Sequence, residues 1–282
     1  MRSEEDSPAQ GRTGSEHDQS PGEGVVPTRK AYSIAVLNRA IDILEVFSPT
    51  RPSLGLKEIV RETGLPKTTT FRILSSLVER GFCELDPQSG EYSLGFVFLK
   101  YSELRRRQTS FHGPALHVLR RIRDEVDETV ALTVRAGDFR VHIDSFETRQ
   151  QLKRTVAIGE PAPLYIGASG KILLAGLEDE EVESYLSRAE LVKIQESTIT
   201  EPQAIWKEIR TIRAQGYAES RGELITGGGS LAAPLRDYSG KTIAAIDILT
   251  PEQRYTDAHR ERCIRLLLHE TLEASQSLGY RP

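Results

Sequence analysis

Residues 54–94 read LGLKEIVRETGLPKTTTFRILSSLVERGFCELDPQSGEYSL. Apolar residues recur at spacings of three and four in the first part of this segment and again over residues 66–80, which predicts two short helices. Gly64 and Pro66 stand between them, where a chain commonly ends one helix and begins the next. The segment therefore predicts two helices joined by a tight turn.

A further helix and a hairpin flank this pair. Beyond residue 81, two short apolar runs enclose the polar loop 86–90, which predicts a hairpin over residues 82–94. From Ser33 onward, apolar residues again follow one helical stripe. The stripe consists of Val36, Leu37, Ala40, Ile41, Leu44 and Phe47. Helix, helix, turn, helix and hairpin in this order predict a winged helix-turn-helix.

The helix predicted over residues 66–80 has two unlike faces. We expect Phe71, Leu74 and Val78 to face inward. The opposite face carries short hydroxyl side chains around one long cation. Arginine binds guanine bidentately in the major groove, and a helix N-terminus favours a phosphate. The sequence therefore predicts a surface that contacts double-stranded DNA, made of Lys67, Thr68, Thr69, Arg72 and Ser76. The alternative is a small helical bundle whose outer face is merely polar.

The composition of the chain excludes several classes of protein. Its 282 residues, 38% hydrophobic and 28% charged, are enough for two ordinary globular domains. No apolar run is long enough for a membrane helix and no leader pattern opens the chain, so we expect a cytoplasmic protein without membrane contact. Only Cys83 and Cys263 occur, and the histidines show no zinc-binding spacing. We therefore expect no disulfide, no metal and no cofactor.

Changes in composition divide the chain into four parts. Residues 1–31 contain almost nothing apolar, which predicts a disordered tail. Residues 32–95 form the predicted winged helix-turn-helix. Residues 96–110 predict a linker helix with four basic residues and one acidic residue. The basic residues either contact phosphates or form a solvated face. Residues 111–282 mix helical and strand-like runs without strict alternation, which predicts an α+β domain.

Several motifs, in the same order, resemble the IclR family of bacterial transcriptional regulators. They include TGLPKTT at 63–69, YSLG at 92–95, GASGK at 167–171 and LAAP at 231–234. The resemblance implies a DNA-binding winged helix-turn-helix, a helical linker, and a C-terminal effector-binding domain whose curved antiparallel sheet is related to GAF and profilin-like folds. It also implies a homodimer or a dimer of dimers that controls catabolic genes in response to small organic acids or aromatic metabolites.

The resemblance further implies that a small-molecule effector lies over the sheet, next to a loop before a helix. By position, the residues that would bind it are Gly167, Ala168, Ser220, Ser230 and Asp247. The last three depart from the residues that are common in the family. An acidic Asp247 opposes an anionic ligand unless it is protonated or paired. The sequence therefore favours a neutral, hydroxylated or basic effector.

Some segments of the second domain allow two interpretations. The small residues 167–170 form either a ligand loop with free N–H groups or a tight structural turn. The three glycines at 227–229 form either a flexible lid or a bulge at a strand start. Tyr165 and Phe146 belong either to an effector pocket or to the core.

Together these features predict a ligand-responsive DNA-binding transcription regulator without enzymatic activity. The sequence has no nucleophile motif such as GxSxG, and no catalytic residue is predicted. Two alternatives from other classes stay open. One is a small-molecule enzyme with a fused DNA-binding module, and the other is an adaptor whose winged helix binds protein.

Overall fold

The computed structural model describes residues 34–107 and 110–282, so the predicted tail, residues 1–31, lies outside the described residues. The chain divides into two compact units between Glu103 and Leu104, inside the predicted linker. Helix α4, Val97–Arg107, occupies most of that linker, and residues 108 and 109 are not described. Each unit is described by itself below.

The first unit is a winged helix-turn-helix, as the sequence predicts. It contains helices α1 (Ala35–Glu45), α2 (Leu56–Thr63) and α3 (Lys67–Glu79) and strands β1 (Ser53–Gly55), β2 (Cys83–Leu85) and β3 (Glu91–Leu94). The strands form an antiparallel sheet in the order β1-β3-β2. Strand β1 was not expected, because its three residues are followed by a helix and not by the polar loop and second strand that reveal β2.

The turn between α2 and α3 forms for the reasons that the sequence suggests. Gly64 ends α2 with a φ of +66°, a left-handed conformation that favours glycine, and its N–H donates to the Val60 carbonyl oxygen at 3.0 Å. Pro66 then stands at the N-cap of α3. These two residues fix the point at which the chain changes direction.

One prediction about a buried face, that of α3, is wrong in this unit. Part of the apolar stripe that begins in α1, namely Ala40, Leu44 and Phe47, packs against the core around Ile43, whereas Val36, Leu37 and Ile41 are each more than half exposed. In α3, Phe71 is 52% exposed, whereas Thr70, Ile73 and Leu74 are buried. Thr70 can take the buried position because its hydroxyl donates to the Pro66 carbonyl oxygen at 3.2 Å, so that its polar group is satisfied.

The second unit is an α+β domain built on a six-stranded antiparallel sheet, which confirms the predicted fold class. Its strand order is β6-β5-β4-β9-β8-β7. The strands are β4 (Thr129–Ala136), β5 (Phe139–Phe146), β6 (Pro161–Pro163), β7 (Ala218–Arg221), β8 (Gly228–Arg236) and β9 (Thr242–Pro251). The helices are α5 (His112–Val126), α6 (Ala168–Ala175), α7 (Asp179–Arg188), α8 (Pro202–Gln215) and α9 (Asp257–Ser277).

The two faces of this sheet carry different helices. Alternate residues such as Leu132 and Ile246 pack with α5 and α9 in one apolar core. The residues next to them in the chain point to the opposite face. There the small Ala232 and Ala245 pack with α6, α7 and α8 in a second core. The same face also carries Thr133 and Asp247, so the second core contains a polar region.

Candidate DNA-binding surface and ligand pocket

The outer face of α3 presents most of the predicted DNA contacts to solvent. Lys67, Thr68, Arg72 and Ser76 are exposed, and Thr69 is half-buried. The side chains of Lys67 and Arg72 make no hydrogen bond or ion pair with any described residue. The arrangement leaves two unpaired cations on a surface of hydroxyl groups, which suits contact with phosphates and base edges.

Phe71 belongs to this surface, although the sequence interpretation placed it in the core. It lies one turn after Lys67 and beside Arg72, with half of its area exposed. The spacing of Thr70, Ile73, Leu74 and Leu77 is the signal that could have shown this, since it forms one continuous i, i+3, i+4, i+7 stripe. A phenylalanine here adds an apolar group that can contact a thymine methyl.

The acidic residues of the hairpin support its geometry. The Asp86 carboxylate accepts from the Gln88 N–H at 2.9 Å and from the Ser89 hydroxyl at 2.8 Å. These hydrogen bonds lower the pKa of Asp86. The Glu91 carboxylate accepts from the Ser53 hydroxyl at 2.6 Å, which joins β3 to β1. These carboxylates therefore shape the hairpin.

In the second unit, the five predicted effector residues line one pocket. Its walls come from β5, the start of α6, β7, β8, β9 and two loops. They include Arg140, His142, Arg154, Gly167, Ala168, Ser169, Ser220, Glu223, Ser230 and Asp247. The pocket encloses about 40 Å³ of open space. Pockets that bind small organic molecules measure about 300–1,000 Å³, so binding such a molecule requires the walls of this pocket to move apart.

A chain of hydrogen bonds crosses the floor of this pocket. Arg140 Nη1 lies 2.6 Å from His142 Nε2, and His142 Nδ1 lies 2.8 Å from Thr133 Oγ1. Thr133 Oγ1 in turn donates to Asp247 Oδ2 at 2.6 Å. Because arginine only donates, His142 accepts at Nε2 and carries its proton on Nδ1. The chain therefore runs in one direction, from the guanidinium to the carboxylate.

Burial shifts the pKa of the ionisable groups that these hydrogen bonds connect. Desolvation, helped by the neighbouring Arg140 charge, lowers the pKa of His142 to about 3, so the imidazole is neutral at pH 7. Desolvation raises the pKa of Asp247 to about 6, against the opposing effects of Thr133, Arg140 and Ser169. Desolvation also lowers the pKa of Arg140.

Arg140 is incompletely satisfied. It is 6% exposed, and its Nε has no hydrogen-bond partner among the described residues. Its Nη2 and Nε face Gly167, since a Cβ built on that glycine would lie 3.8 and 3.9 Å from them. A buried guanidinium with an orphaned donor is costly unless an acceptor binds there. The pocket therefore offers a ready donor to a ligand.

Arg154 brings a second cation into the pocket from the loop after β5. Its side chain makes no ion pair or hydrogen bond with any described residue, and burial lowers its pKa. Its guanidinium packs against Gly228, where any Cβ would collide with it. Gly228 is therefore needed for close approach, and it also begins β8 in regular pairing with Pro251. Of the two interpretations of residues 227–229, the structure supports a strand start, without a register shift there.

The N–H group of Gly167, the N-cap of α6, already donates a hydrogen bond within the protein. Glu223 accepts from the Gly167 N–H at 3.1 Å and from Lys171 Nζ at 2.7 Å, and all three residues are buried. Gly170 must be glycine, because a Cβ would lie 2.6 Å from the Leu164 carbonyl oxygen. Residues 168–170 are the first turn of α6 and Gly167 is its N-cap, while Gly167 and Ala168 line the pocket, so both interpretations of this segment stay open.

The remaining candidates have structural places. Tyr165 is buried in the core against α6, and its hydroxyl donates to the Val192 carbonyl oxygen at 2.9 Å. Phe146 packs against the opposite core. Among the described residues, one group could hold a metal ion, namely His269, Glu270 and Glu273, but both carboxylates already pair with Arg121.

The charged groups of the pocket point away from the neutral, hydroxylated or basic effector that the sequence favours. The sequence interpretation considered Asp247 and missed Arg140, His142 and Arg154, which reach the same pocket from another strand and a loop. Glu223 is neutralised by Lys171 at 2.7 Å, whereas neither arginine has a carboxylate at ion-pair distance among the described residues. The balance of unpaired charge favours an anion. The signal in the sequence was weak, because arginines and histidines at these positions belong to no motif.

Comparison with known proteins identifies the two domains that carry these candidate sites. Residues 36–87 match the family model described as the IclR helix-turn-helix domain, and residues 110–276 match the bacterial transcriptional regulator IclR C-terminal domain. The chain is 35% identical over 230 residues to the HTH-type transcriptional regulator KipR of Bacillus subtilis (strain 168), a match covering 82% of this chain and 92% of KipR. It is 27% identical to the HTH-type transcriptional repressor AllR of Salmonella typhimurium, over 93% of this chain and 96% of AllR.

The solved structures support the same assignment. The crystal structure of the Thermotoga maritima IclR superimposes with a TM-score of 0.75 at 27% identity, over 87% of this chain and 99% of that one. In the parts of the chain that the structure describes, no helix is long and apolar enough to span a membrane. The relatives are named as regulators and repressors, in agreement with the expectation of a regulator and not an enzyme. The chain belongs to the IclR family of DNA-binding transcriptional regulators.

Proposed function

We propose that this regulator binds its operator through the outer face of α3 and responds to a small organic anion bound in the pocket of the second unit. The regulated genes would encode catabolism of that anion, and the protein would act in the cytoplasm. The observation that carries the ligand class is a pair of guanidinium groups without a carboxylate at ion-pair distance, both lining one pocket: Arg140, whose Nε has no hydrogen-bond partner among the described residues, and Arg154, whose side chain has none. A guanidinium binds carboxylates through short, charge-assisted and often bidentate hydrogen bonds.

The DNA contacts follow from the charges and exposure of α3. Lys67 lies in the first turn, where the free N–H groups also favour a phosphate. Thr68, Arg72 and Ser76 follow at spacings that keep them on the exposed face. Phe71 adds an apolar contact between them. In this proposal Arg72 reads a base, whereas Lys67 fixes the helix against the backbone.

The protein would act as a homodimer or a dimer of dimers. Val36, Leu37 and Ile41 on α1 are more than half exposed, and so are Phe96 and Leu99 near the start of α4. Apolar surface of this kind favours an interface. A second copy of the chain would cover it and would place two α3 helices on two half-sites, which increases the number of phosphate contacts. Light scattering of the full chain measures the oligomeric state.

The ligand class can be tested by isothermal titration calorimetry with three carboxylates: lactate, pyruvate and benzoate. We expect at least one to bind the wild-type protein and to bind Arg154→Gln more weakly by about tenfold or more, since a charge-assisted hydrogen bond contributes roughly 1.5–3 kcal/mol. Arg149→Gln is the matched control. Arg149 lies in the same loop but pairs with Asp124 on the surface. Equal affinity of both variants for the carboxylate would contradict the role of Arg154.

A further inference from the structure

Asp247 stands in the pocket as a carboxyl group without a charge partner in contact. It is 2% exposed, its Oδ2 accepts from Thr133 Oγ1 at 2.6 Å, and no ion pair to it occurs among the described residues. Arg140 is connected to Asp247 by hydrogen bonds through His142 and Thr133, and its positive charge favours the ionised form of the carboxyl group without direct contact. A second anion in the pocket would place two negative charges in one buried site, which opposes ionisation of both.

We propose that the pocket binds its anionic effector together with one proton, which is taken from solvent by the Asp247 carboxylate. The inference rests on the proposed function and adds the protonation step to it. One anion and one proton enter for each site, so that the net charge of the pocket is the same before and after binding. The protonated carboxyl group has an O–H, which gives the bound anion a further donor beside the orphaned Nε of Arg140.

The other charged groups around Asp247 do not take this role. His142, on β5, already accepts from Arg140 at Nε2 and donates through Nδ1, so a proton on Nε2 would face the guanidinium. Glu223, on the loop after β7, is held by Lys171 of α6 and by the Gly167 N–H. Arg154 is the remaining charged group of the wall, and it attracts the anion without binding a proton. Asp247 is thus the group in the pocket that can accept the proton.

The uptake of a proton has a defined dependence on pH. In the empty pocket the pKa of Asp247 is about 6, and a bound anion raises it further. At pH 5 the group already carries its proton, so binding takes up almost none. At pH 7.5 the group is ionised before binding, so about one proton enters with each anion. Above pH 6 the dissociation constant should therefore rise by up to about tenfold per pH unit.

The test is calorimetric titration of the full chain with the tightest-binding of lactate, pyruvate and benzoate. It is run at pH 5.5 and 7.5 in pairs of buffers with different heats of ionisation. We expect an uptake close to one proton at pH 7.5 and a smaller one at pH 5.5. In Asp247→Asn the uptake should vanish and the affinity should not depend on pH. Asp144→Asn, which lies near His112 and outside this pocket, should behave as wild type.

Three results of this titration would overturn the inference. Anion binding without proton uptake at pH 7.5 overturns the inference and leaves the proposed function intact. Uptake that persists in Asp247→Asn and disappears in His142→Gln also overturns it, because the proton would then reside on the imidazole. If none of the three carboxylates binds at either pH, the anionic effector class fails and the inference fails with it.

Discussion

Arg72 and Arg140 place the same guanidinium in opposite settings. Arg72 is exposed on one helix, where water solvates its charge and no described residue binds it. Arg140 is 6% exposed, and its charge is supported by a chain of residues from β5, β4 and β9. The first surface is complete in a single helix, whereas the second exists only after the sheet has formed. A DNA contact is therefore local in the chain, and the ligand pocket is a property of the whole domain.

The first prediction sharpens this contrast within α3. Leu74→Ala removes a fully buried side chain and should lower the free energy of unfolding by about 2–5 kcal/mol. Phe71→Ala removes a side chain that is 52% exposed and should change stability by less than about 0.5 kcal/mol, while it weakens DNA binding. Urea denaturation and fluorescence anisotropy with labelled DNA measure the two effects. A large loss of stability in Phe71→Ala would show that Phe71 is packed in the core.

The second prediction concerns the reading of bases by the exposed surface. Arg72→Ala should reduce discrimination between the operator and unrelated DNA by about 1–3 kcal/mol if the arginine binds a base edge. Arg265→Ala is a control on α9, where the arginine is also exposed. Competition binding at fixed salt gives the ratio of the two affinities. An unchanged ratio in Arg72→Ala, with a uniform loss of affinity, would assign that residue to phosphate contact.

The third prediction concerns the buried region. The pKa of Asp247 is raised from its ordinary value of 3.8 to about 6 in the folded protein, so folding favours the protonated form. This contribution to stability is fully present below pH 3.8 and is lost as the pH rises through 6, with a slope of up to about 1.4 kcal/mol per pH unit. In Asp247→Asn the free energy of unfolding should lack this component between pH 4 and 6.5. Identical pH profiles of unfolding for the two proteins would show that Asp247 is not desolvated.

The sequence predicts the helix-turn-helix well because its information is local. Gly64 and Pro66 mark the turn by their own backbone preferences, and the hydroxyl-rich side of α3 follows from helical period alone. The phase of that helix was misjudged at Phe71, because a buried threonine with a satisfied hydroxyl resembles a polar surface residue. The three-residue strand β2 was detected because a polar loop and a second strand follow it, whereas β1 and β6 are equally short and have no hairpin signal beside them.

The pocket was predictable only in part. Resemblance to the family pointed to Gly167, Ala168, Ser220, Ser230 and Asp247, which the structure brings to one pocket. The arginines and the histidine that set its charge belong to no motif. Thr133 and Asp247 are 114 residues apart and meet because β4 pairs with β9, so no spacing rule connects them. For this reason the sequence indicates a neutral, hydroxylated or basic effector, whereas the charged groups of the pocket favour an anion.

The most direct test of the account is whether the anion changes DNA binding through the pocket. Fluorescence anisotropy with DNA from upstream of the gene would be recorded with and without the tightest-binding carboxylate, for wild type, Arg72→Ala and Arg154→Gln. The account predicts that the carboxylate shifts the wild-type isotherm, that Arg72→Ala binds this DNA poorly, and that Arg154→Gln binds it normally and does not respond to the carboxylate. A full response in Arg154→Gln, or wild-type operator binding by Arg72→Ala, would contradict it.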